Sequence, residues 1–351
     1  MPKTVILIGN RPERMTRLAR TFQSLKRIGV HVRVMNPYQV PQGNPRIITG
    51  IIRYVLILLQ VLLQKADIYH FFNVPDVIGL PLALKRGVFV YDVRSPWFSS
   101  LKETFGSSLL ARIGGTIEQL LSRNADVVLA ACTPLANRAR SLGARRVLVI
   151  PNYPPKSFIP RRARSAMRQS LGLGDAPTVI FLGKLSKLEG SDLLKDIIFQ
   201  TSTAIPLVKF LIVGDGPQKE SVETFLIENR LTDRVIMTGW VPHNTVADHI
   251  NAADVGLLPR MRTTFSPYAS PENILKVGEY LALGKPVIAP KMGGFTNASF
   301  PIIPAAPENM AYALIEYLST PPKFDSFQRP TWEISHSRLK HVYESFGASN
   351  D

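Results

Sequence analysis

Short aliphatic blocks alternate with longer stretches of helical spacing along almost the whole chain. Residues 4–9 form the first block, and VHVRVM at 30–35 forms the second. ADIYHF at 66–71, GVFVYDV at 87–93, ADVVLAAC at 125–132 and RVLVIPN at 146–152 follow. Blocks this short, rich in β-branched residues and bounded by turn formers, predict buried strands. Between the first two, residues 13–28 predict a helix carrying Arg14, Arg17, Arg20, Lys26 and Arg27, with positions 14 and 17 on one face. Strand, helix, strand at this spacing predicts a parallel, doubly wound sheet. A second series repeats the pattern: TVIFLGKL (178–185), VKFLIVGDG (208–216), RVIMTGWV (234–241), ADVGLLP (253–259) and PVIAP (286–290). Residues 151–166 lie between the two series and carry four prolines, three arginines and a lysine, which reads as a linker. The expected fold is therefore α/β, with two doubly wound Rossmann-like domains facing a cleft. WEISHSRLKHVYESF at 332–346 predicts a closing amphipathic helix.

Residues 47–64 are the most apolar run, and Arg53, Gln60 and Gln64 interrupt it. A core helix, an interfacial membrane helix and a true span all fit its length. Charge narrows the choice of partners. Residues 1–164 hold 25 Lys and Arg against 7 Asp and Glu, giving +18, whereas residues 165–351 hold 17 against 19, giving −2. So uneven a split points the first half toward an anionic surface, with Arg14, Arg17, Arg20 and Arg94 as candidates to meet an acceptor or a membrane. No aromatic-rich basic motif points to nucleic acid. The single cysteine, Cys132, precludes an internal disulfide, and no secretory signal pattern opens the chain; an intracellular protein is expected.

Candidate chemistry gathers at strand ends, where open α/β sheets place ligands. In the first half these are His70, Asp92 and Arg94; a lone histidine reads equally as a site or a structural residue. In the second half, Gly183 and Lys184 end one strand with Lys187 close by, Gly214 and Asp215 end the next, and Gly239, Trp240 and Val241 end the third. Ser270, Pro271 and Glu272 carry an N-cap signature and predict a helix running to Leu283, with Gly284, Lys285 and Pro286 completing the group. Glycines admit a backbone close to a ligand, lysines neutralise phosphate, and a helix N-terminus favours an anion. Glu279, two turns along that helix, is placed to bind ribose hydroxyls. The pattern predicts a nucleotide-diphosphate pocket. No Asp-x-Asp occurs, so no metal clamp is expected, and no cofactor beyond a nucleotide-linked donor.

In this order, FLGKL, IVGDGP, TGWV, ADVGLLP and SPENILKVGEYLALGKPVIAP resemble the donor domain of the retaining GT-B nucleotide-sugar glycosyltransferases, the "group 1" family. The resemblance is specific over 178–290 and looser over 1–150. It implies an acceptor-binding domain over 1–155, a donor domain over 156–330, and a C-terminal helix over 331–351 returning to the first domain. It places Glu279 on the ribose, Lys184 on the donor phosphates, the backbone of Asn273, Ile274 and Leu275 over the diphosphate, and residues 239–241 near the base. Glu272 stands one residue after the position of the family's first glutamate, which here is Pro271; Glu189 stands where the family has a second phosphate lysine, and Lys187 is its substitute. Lys184, Glu272 and His70 are the catalytic candidates. The expected activity is retaining, metal-independent transfer from a UDP- or GDP-sugar to an acceptor, with a lipid-linked acceptor at the cytoplasmic membrane face accounting for the basic half. The alternative is a non-catalytic nucleotide-sugar-binding subunit or scaffold of the same fold, motivated by Pro271.

Overall fold

The computed structural model describes residues 3–37, 46–296, 300–324 and 326–348. These divide into two compact units, Met1–Asn152 with Glu333–Asp351, and Tyr153–Trp332.

In the first unit, β1 (Thr4–Ile8), α1 (Thr16–Arg27) and β2 (His31–Val34) make one crossover, and α2 (Arg46–Leu63) leads to β3 (Ile68–Phe72). A 3-10 segment, Asp76–Leu84, joins β3 to β4 (Val88–Val93). Then come α3 (Trp97–Phe105), α4 (Ser108–Asn124), β5 (Val127–Ala130), α5 (Thr133–Ser141) and β6 (Val147–Val149). The sheet order is β2-β1-β3-β4-β5-β6, every pairing parallel, with Val5 beside Val32 on one side and Ile68 on the other. Central strands of a parallel sheet are covered on both faces, which is why Val5, Ile6, Leu7 and Ile8 can all be apolar and all be buried.

In the second unit, α6 (Arg164–Ser170) precedes β7 (Thr178–Leu182), and α7 (Ser191–Ala204), β8 (Lys209–Val213), α8 (Lys219–Glu228) and β9 (Val235–Gly239) follow. Next are α9 (Val246–Ala252), β10 (Val255–Leu257), α10 (Leu275–Ala282), β11 (Val287–Pro290), β12 (Ile302–Ala305) and α11 (Met310–Ser319). The order β12-β11-β10-β7-β8-β9 is again parallel. Successive side chains of β7 point to opposite cores: Val179 and Phe181 pack with α7 and α11 residues, and Ile180 with Tyr280 and Leu281 of α10. The last helix, α12 (Glu333–Ser345), packs on α1 in the first unit.

Three expectations change. The helix expected from Glu13 starts at Thr16, because Pro12–Arg14 forms a separate 3-10 turn. Arg14 on that turn is exposed while Arg17 and Arg20 are buried, so they form no common basic face. The helix expected from Ser270 starts at Leu275. Here the Ser270 N–H donates to Asn273 Oδ1 (2.9 Å) and Glu272 N–H donates to Ser270 Oγ (3.3 Å), closing residues 270–273 into a turn of their own.

Candidate active site

The C-terminal ends of β7, β8 and β9 are tied by their backbones. Gly183 N–H donates to Val213 O (2.9 Å), and Gly214 N–H donates to Gly239 O (2.9 Å). The contact is too close for side chains: Gly214 has φ +143°, and a Cβ there would sit 1.9 Å from Gly183 O. A bare peptide surface results, on the sheet edge where α/β folds bind ligands. Asp215 is turned into its own loop, accepting the Gly216 N–H at 2.6 Å. Trp240 stands out from the edge, 66% exposed, with Val241 half-buried beside it.

The first turn of α10 faces this edge. A Cβ at Gly183 would lie 2.7 Å from Lys276 Nζ, so the lysine crosses the glycine backbone at contact distance. Lys276 Nζ donates to Glu189 Oε2 (2.9 Å), Arg260 Nη2 lies 3.7 Å from Glu189 Oε1, and the Lys276 ammonium sits 4.8 Å from the Phe181 ring centroid. Burial pushes the Lys276 ammonium below the ordinary lysine value, against the pull of Glu189. Burial would raise the Glu189 carboxyl, but Lys276 and then Arg260 outweigh it and hold it low. By formal charge the three groups, two cations and one carboxylate, sum to one positive charge. Lys184 and Lys187 are exposed beside them and have no partner among the described residues. This is a half-buried cation cluster at the N-terminal end of a helix, an arrangement that attracts phosphate.

One turn further along α10, the buried Glu279 carboxylate meets exposed His243 at 3.1 Å (Oε1 to Nε2). Tyr280, next to it, fixes the helix to the sheet: its buried hydroxyl accepts the Leu182 N–H at 2.8 Å. Gly256 leaves room for the ring, since a Cβ there would come within 2.4 Å of it. Tyr280→Phe strands that amide and is expected to cost about 1–3 kcal/mol of stability. Chemical denaturation of the variant measures it, and a loss under about 0.5 kcal/mol would mean that the bond does not anchor α10.

Glu279, Lys184, Gly183, Gly214, Gly239 and Leu275 thus lie around one sheet edge, with Asn273 and Ile274 in the turn leading to it. Glu272 belongs to the Ser270 turn, its Oε2 accepting the Ser270 hydroxyl at 3.4 Å. The Gly284, Lys285, Pro286 turn does not join the group. Because α10 runs antiparallel to the strands, its far end lies at the opposite sheet edge, where Lys285 Nζ donates to Ala253 O (2.7 Å) ahead of β10. The site residues expected from the sequence do not include Lys276, Arg260 or His243, and Glu189 enters there only as the residue in place of a phosphate lysine. The Lys276-x-x-Glu279 spacing carried the signal for the first.

In the first unit the candidates fall inside the protein. Arg17 Nε donates to Asp92 Oδ1 at 2.7 Å, and both side chains are buried. His70 spans Asp92 (Nε2 to Oδ2, 3.2 Å) and the Tyr343 hydroxyl (Nδ1, 2.7 Å), fully buried and stacked on Phe72. Arg20 Nη1 donates to Asn152 Oδ1 at 3.2 Å. Arg17, Arg20 and His70 are therefore interior, not available to a membrane or a reacting group: the carboxylate at the end of β4 gives Arg17 and His70 a partner that helix spacing alone cannot reveal. Arg94 is half-buried, its guanidinium donating to Asn73 O at 2.8 Å. Among the described residues, no three His, Cys, Asp or Glu side chains group as a metal site.

Residues 176–320 match the profile described as "Glycosyl transferases group 1", and residues 5–153 match "Glycosyl transferase 4-like domain". The 2-deoxystreptamine glucosyltransferase of Streptomyces kanamyceticus is 28% identical over 184 residues, 49% of this chain and 45% of that protein. The GDP-mannose-dependent alpha-(1-6)-phosphatidylinositol monomannoside mannosyltransferase of Mycolicibacterium smegmatis is 30% identical over 132 residues, 38% of this chain and 34% of that one. The chain spans about half the length, or less, of the curated relatives it matches. Anabaena HepE, solved in complex with UDP and glucose, superposes with a TM-score of 0.69 at 18% identity, covering 98% of this chain and 100% of that one. That likeness is one of fold. With the two profiles matched in succession and the fold shared end to end, the chain belongs to the group 1 family of glycosyltransferases and has the GT-B fold.

Proposed function

We propose that this protein is a retaining, metal-independent glycosyltransferase that moves a sugar from a UDP- or GDP-sugar to an acceptor carried at the cytoplasmic face of a membrane. The observation that carries the donor half is the Lys276, Glu189, Arg260 cluster over the bare Gly183 backbone, one helical turn before the buried Glu279 carboxylate. That spacing suits a nucleoside diphosphate, with phosphates against the α10 N-terminus and Lys276, and ribose hydroxyls on Glu279. HepE holds UDP on the same fold. In the transfer, the bond from the anomeric carbon to the diphosphate oxygen breaks and a bond to the acceptor oxygen forms on the same face. The acceptor proton passes to the departing phosphate. Charge grows on that phosphate, and Lys276, Arg260, Lys184 and Lys187 stabilise it without a divalent ion. The membrane half rests on the basic first unit and on the phosphatidylinositol monomannoside named for the mycobacterial relative.

A thermal-shift panel of UDP-, GDP- and ADP-sugars, run in EDTA on wild type and Glu279→Ala, tests the donor site. One nucleotide class is expected to stabilise wild type by about 2.7 kcal/mol at a hundredfold excess over Kd, and Glu279→Ala is expected to lose the shift. No response to any nucleotide would remove this reading. Pro271, buried where the family has a glutamate, favours a second one: a shift without turnover in the presence of membrane extract would identify a nucleotide-sugar-binding subunit.

A further inference from the structure

Helix α2 is inside out. A surface helix normally turns its polar residues to water. Here Arg53 donates to Asn10 O (2.9 Å) and Gln60 to Asn36 O (2.8 Å), and Gln64, just after the helix, donates back to Gln60 O (3.3 Å). Ile57 and Val61 face the core. The outward side is aliphatic: Ile51, Ile52, Val55, Leu59, Leu62 and Leu63 are all exposed, Leu63 at 79%. At ~100° per residue these six cover an arc of about 120° with no polar group in it.

The same layer repeats the pattern. Leu84 of the 3-10 segment is 85% exposed, and Phe105 at the end of α3 is 63% exposed. Leu109, Leu110, Ile113 and Leu120 line the outer side of α4, flanked by exposed Arg112 and Arg123. These elements adjoin: α2 packs on the 3-10 segment, and that segment packs on α4. They also share a face. The crossovers β2 to β3, β3 to β4 and β4 to β5 all run the same way along the sheet, and right-handed crossovers in one direction lie on one side. The β1 to β2 crossover runs the other way, which puts α1, with α12 on it, on the opposite side. Among the described residues of this unit, every large exposed apolar side chain belongs to the α2-to-α4 layer and none to the α1 and α12 side.

We infer that this layer is a membrane-docking face that takes an anionic bilayer surface, with α2 and the α3–α4 corner as its two apolar contacts. Charge identifies the occupant. Residues 46–65 contain no acidic residue, and exposed Lys65, Arg86, Arg112 and Arg123 rim the aliphatic surface. Of the acids on α3 and α4, Glu118 is turned inward to Arg138, which leaves Glu103 on the outside. Aliphatic groups ringed by cations match the acyl boundary and the phosphates of an anionic leaflet. Arg17 and Arg20, being buried, take no part. The inference rests on the reading of a membrane-borne acceptor and assigns it a surface.

Cosedimentation of the full chain with vesicles tests it, using phosphatidylcholine alone and phosphatidylcholine with about a third phosphatidylglycerol. The protein is expected to bind the anionic vesicles at least about tenfold more tightly, and raised salt is expected to weaken that binding. Leu59→Glu/Leu63→Glu should lose about tenfold or more. Arg112→Gln/Arg123→Gln should lose several-fold at low salt only. Leu207→Glu/Ile227→Glu, at exposed apolar positions of the other unit, should bind as wild type. Nucleotide thermal shifts on the same variants should not change, so a failure of docking is read separately from a failure of the transferase reading. Absence of vesicle binding, or an α2 variant that binds as wild type, overturns the proposal. So does a wild-type oligomer that the α2 variant converts to monomer, which would make this face a contact between copies.

Discussion

Replacing Lys276 with methionine is expected to lower turnover by about 10²–10³-fold, the cost of removing one preorganised group from a developing oxyanion. The fold should survive, because the aliphatic stem of methionine refills the space over Phe181. The side chain is well placed for this role. It is 13% exposed, lies against a glycine that offers only backbone, and has Glu189 as its resident counter-ion. A diphosphate at the α10 N-terminus would share the ammonium with that carboxylate. Removing Lys276 leaves Glu189 with Arg260 alone, at 3.7 Å. The proposed donor pocket would then hold a less compensated negative charge where a diphosphate brings two more. Both Kd for the nucleoside diphosphate and kcat should therefore worsen. A variant that keeps wild-type turnover would move the phosphate contact to Lys184 or Lys187.

Glu189→Gln separates this role from packing. The carboxylate raises the Lys276 pKa against burial, so its loss lets burial lower that pKa further. The charge that the leaving group needs then disappears at a lower pH. The alkaline limb of the turnover profile should move toward acid in Glu189→Gln, with thermal stability close to wild type. A purely structural ion pair would lower stability and leave the limb in place.

Much of this architecture was legible because parallel strands buried on both faces read as unbroken aliphatic blocks, as in Thr178–Leu182 and Lys209–Val213. Glycines at the ends of those blocks gave the site edge, since only a close backbone contact requires them there. The failures have separate causes. Ser270, Pro271 and Glu272 form a sound N-cap signature, yet Asn273 is equally able to close a turn, and it does so before the helix begins. The edge strand Ile302–Ala305 is short, contains Pro304, and has no alternation to mark it. Charge misled most. Arg17 and Arg20 count toward the +18 of residues 1–164 and sit on a helix of arginine-rich sequence, but a count cannot tell a solvated cation from one neutralised inside. For Arg17 the partner, Asp92, is 75 residues away in sequence, and Arg20 is held by Asn152.

That buried pair should carry the largest stability effect in the first unit. Asp92→Ala leaves Arg17, among the described residues, with the Ile150 carbonyl alone, to which Nη1 donates at 2.6 Å, and is expected to cost about 3–5 kcal/mol. The damage should spread to the C-terminal helix, because His70 loses its Nε2 partner while still holding the Tyr343 hydroxyl of α12. Early proteolytic release of α12 would accompany the lower unfolding midpoint. The pH dependence has a definite sign. Burial would raise the Asp92 carboxyl, but Arg17 and His70 outweigh it and hold it below its ordinary value. Its contribution is therefore complete above about pH 4 and lost as pH falls through the lowered folded value. Burial also lowers the His70 pKa from 6.5, despite the hydrogen bond that its ring donates to Asp92. Below about pH 6.5 the unfolded chain takes up a proton that folded His70 refuses, so stability falls with pH in that window too. Wild type should thus weaken in two stages on acidification, first below about pH 6.5 and again below about pH 4. Asp92→Ala should start lower and lack the second stage. Denaturant unfolding at a series of pH values resolves the two, and an Asp92→Ala protein within about 1 kcal/mol of wild type at pH 7 would show that the pair is not what holds this unit together.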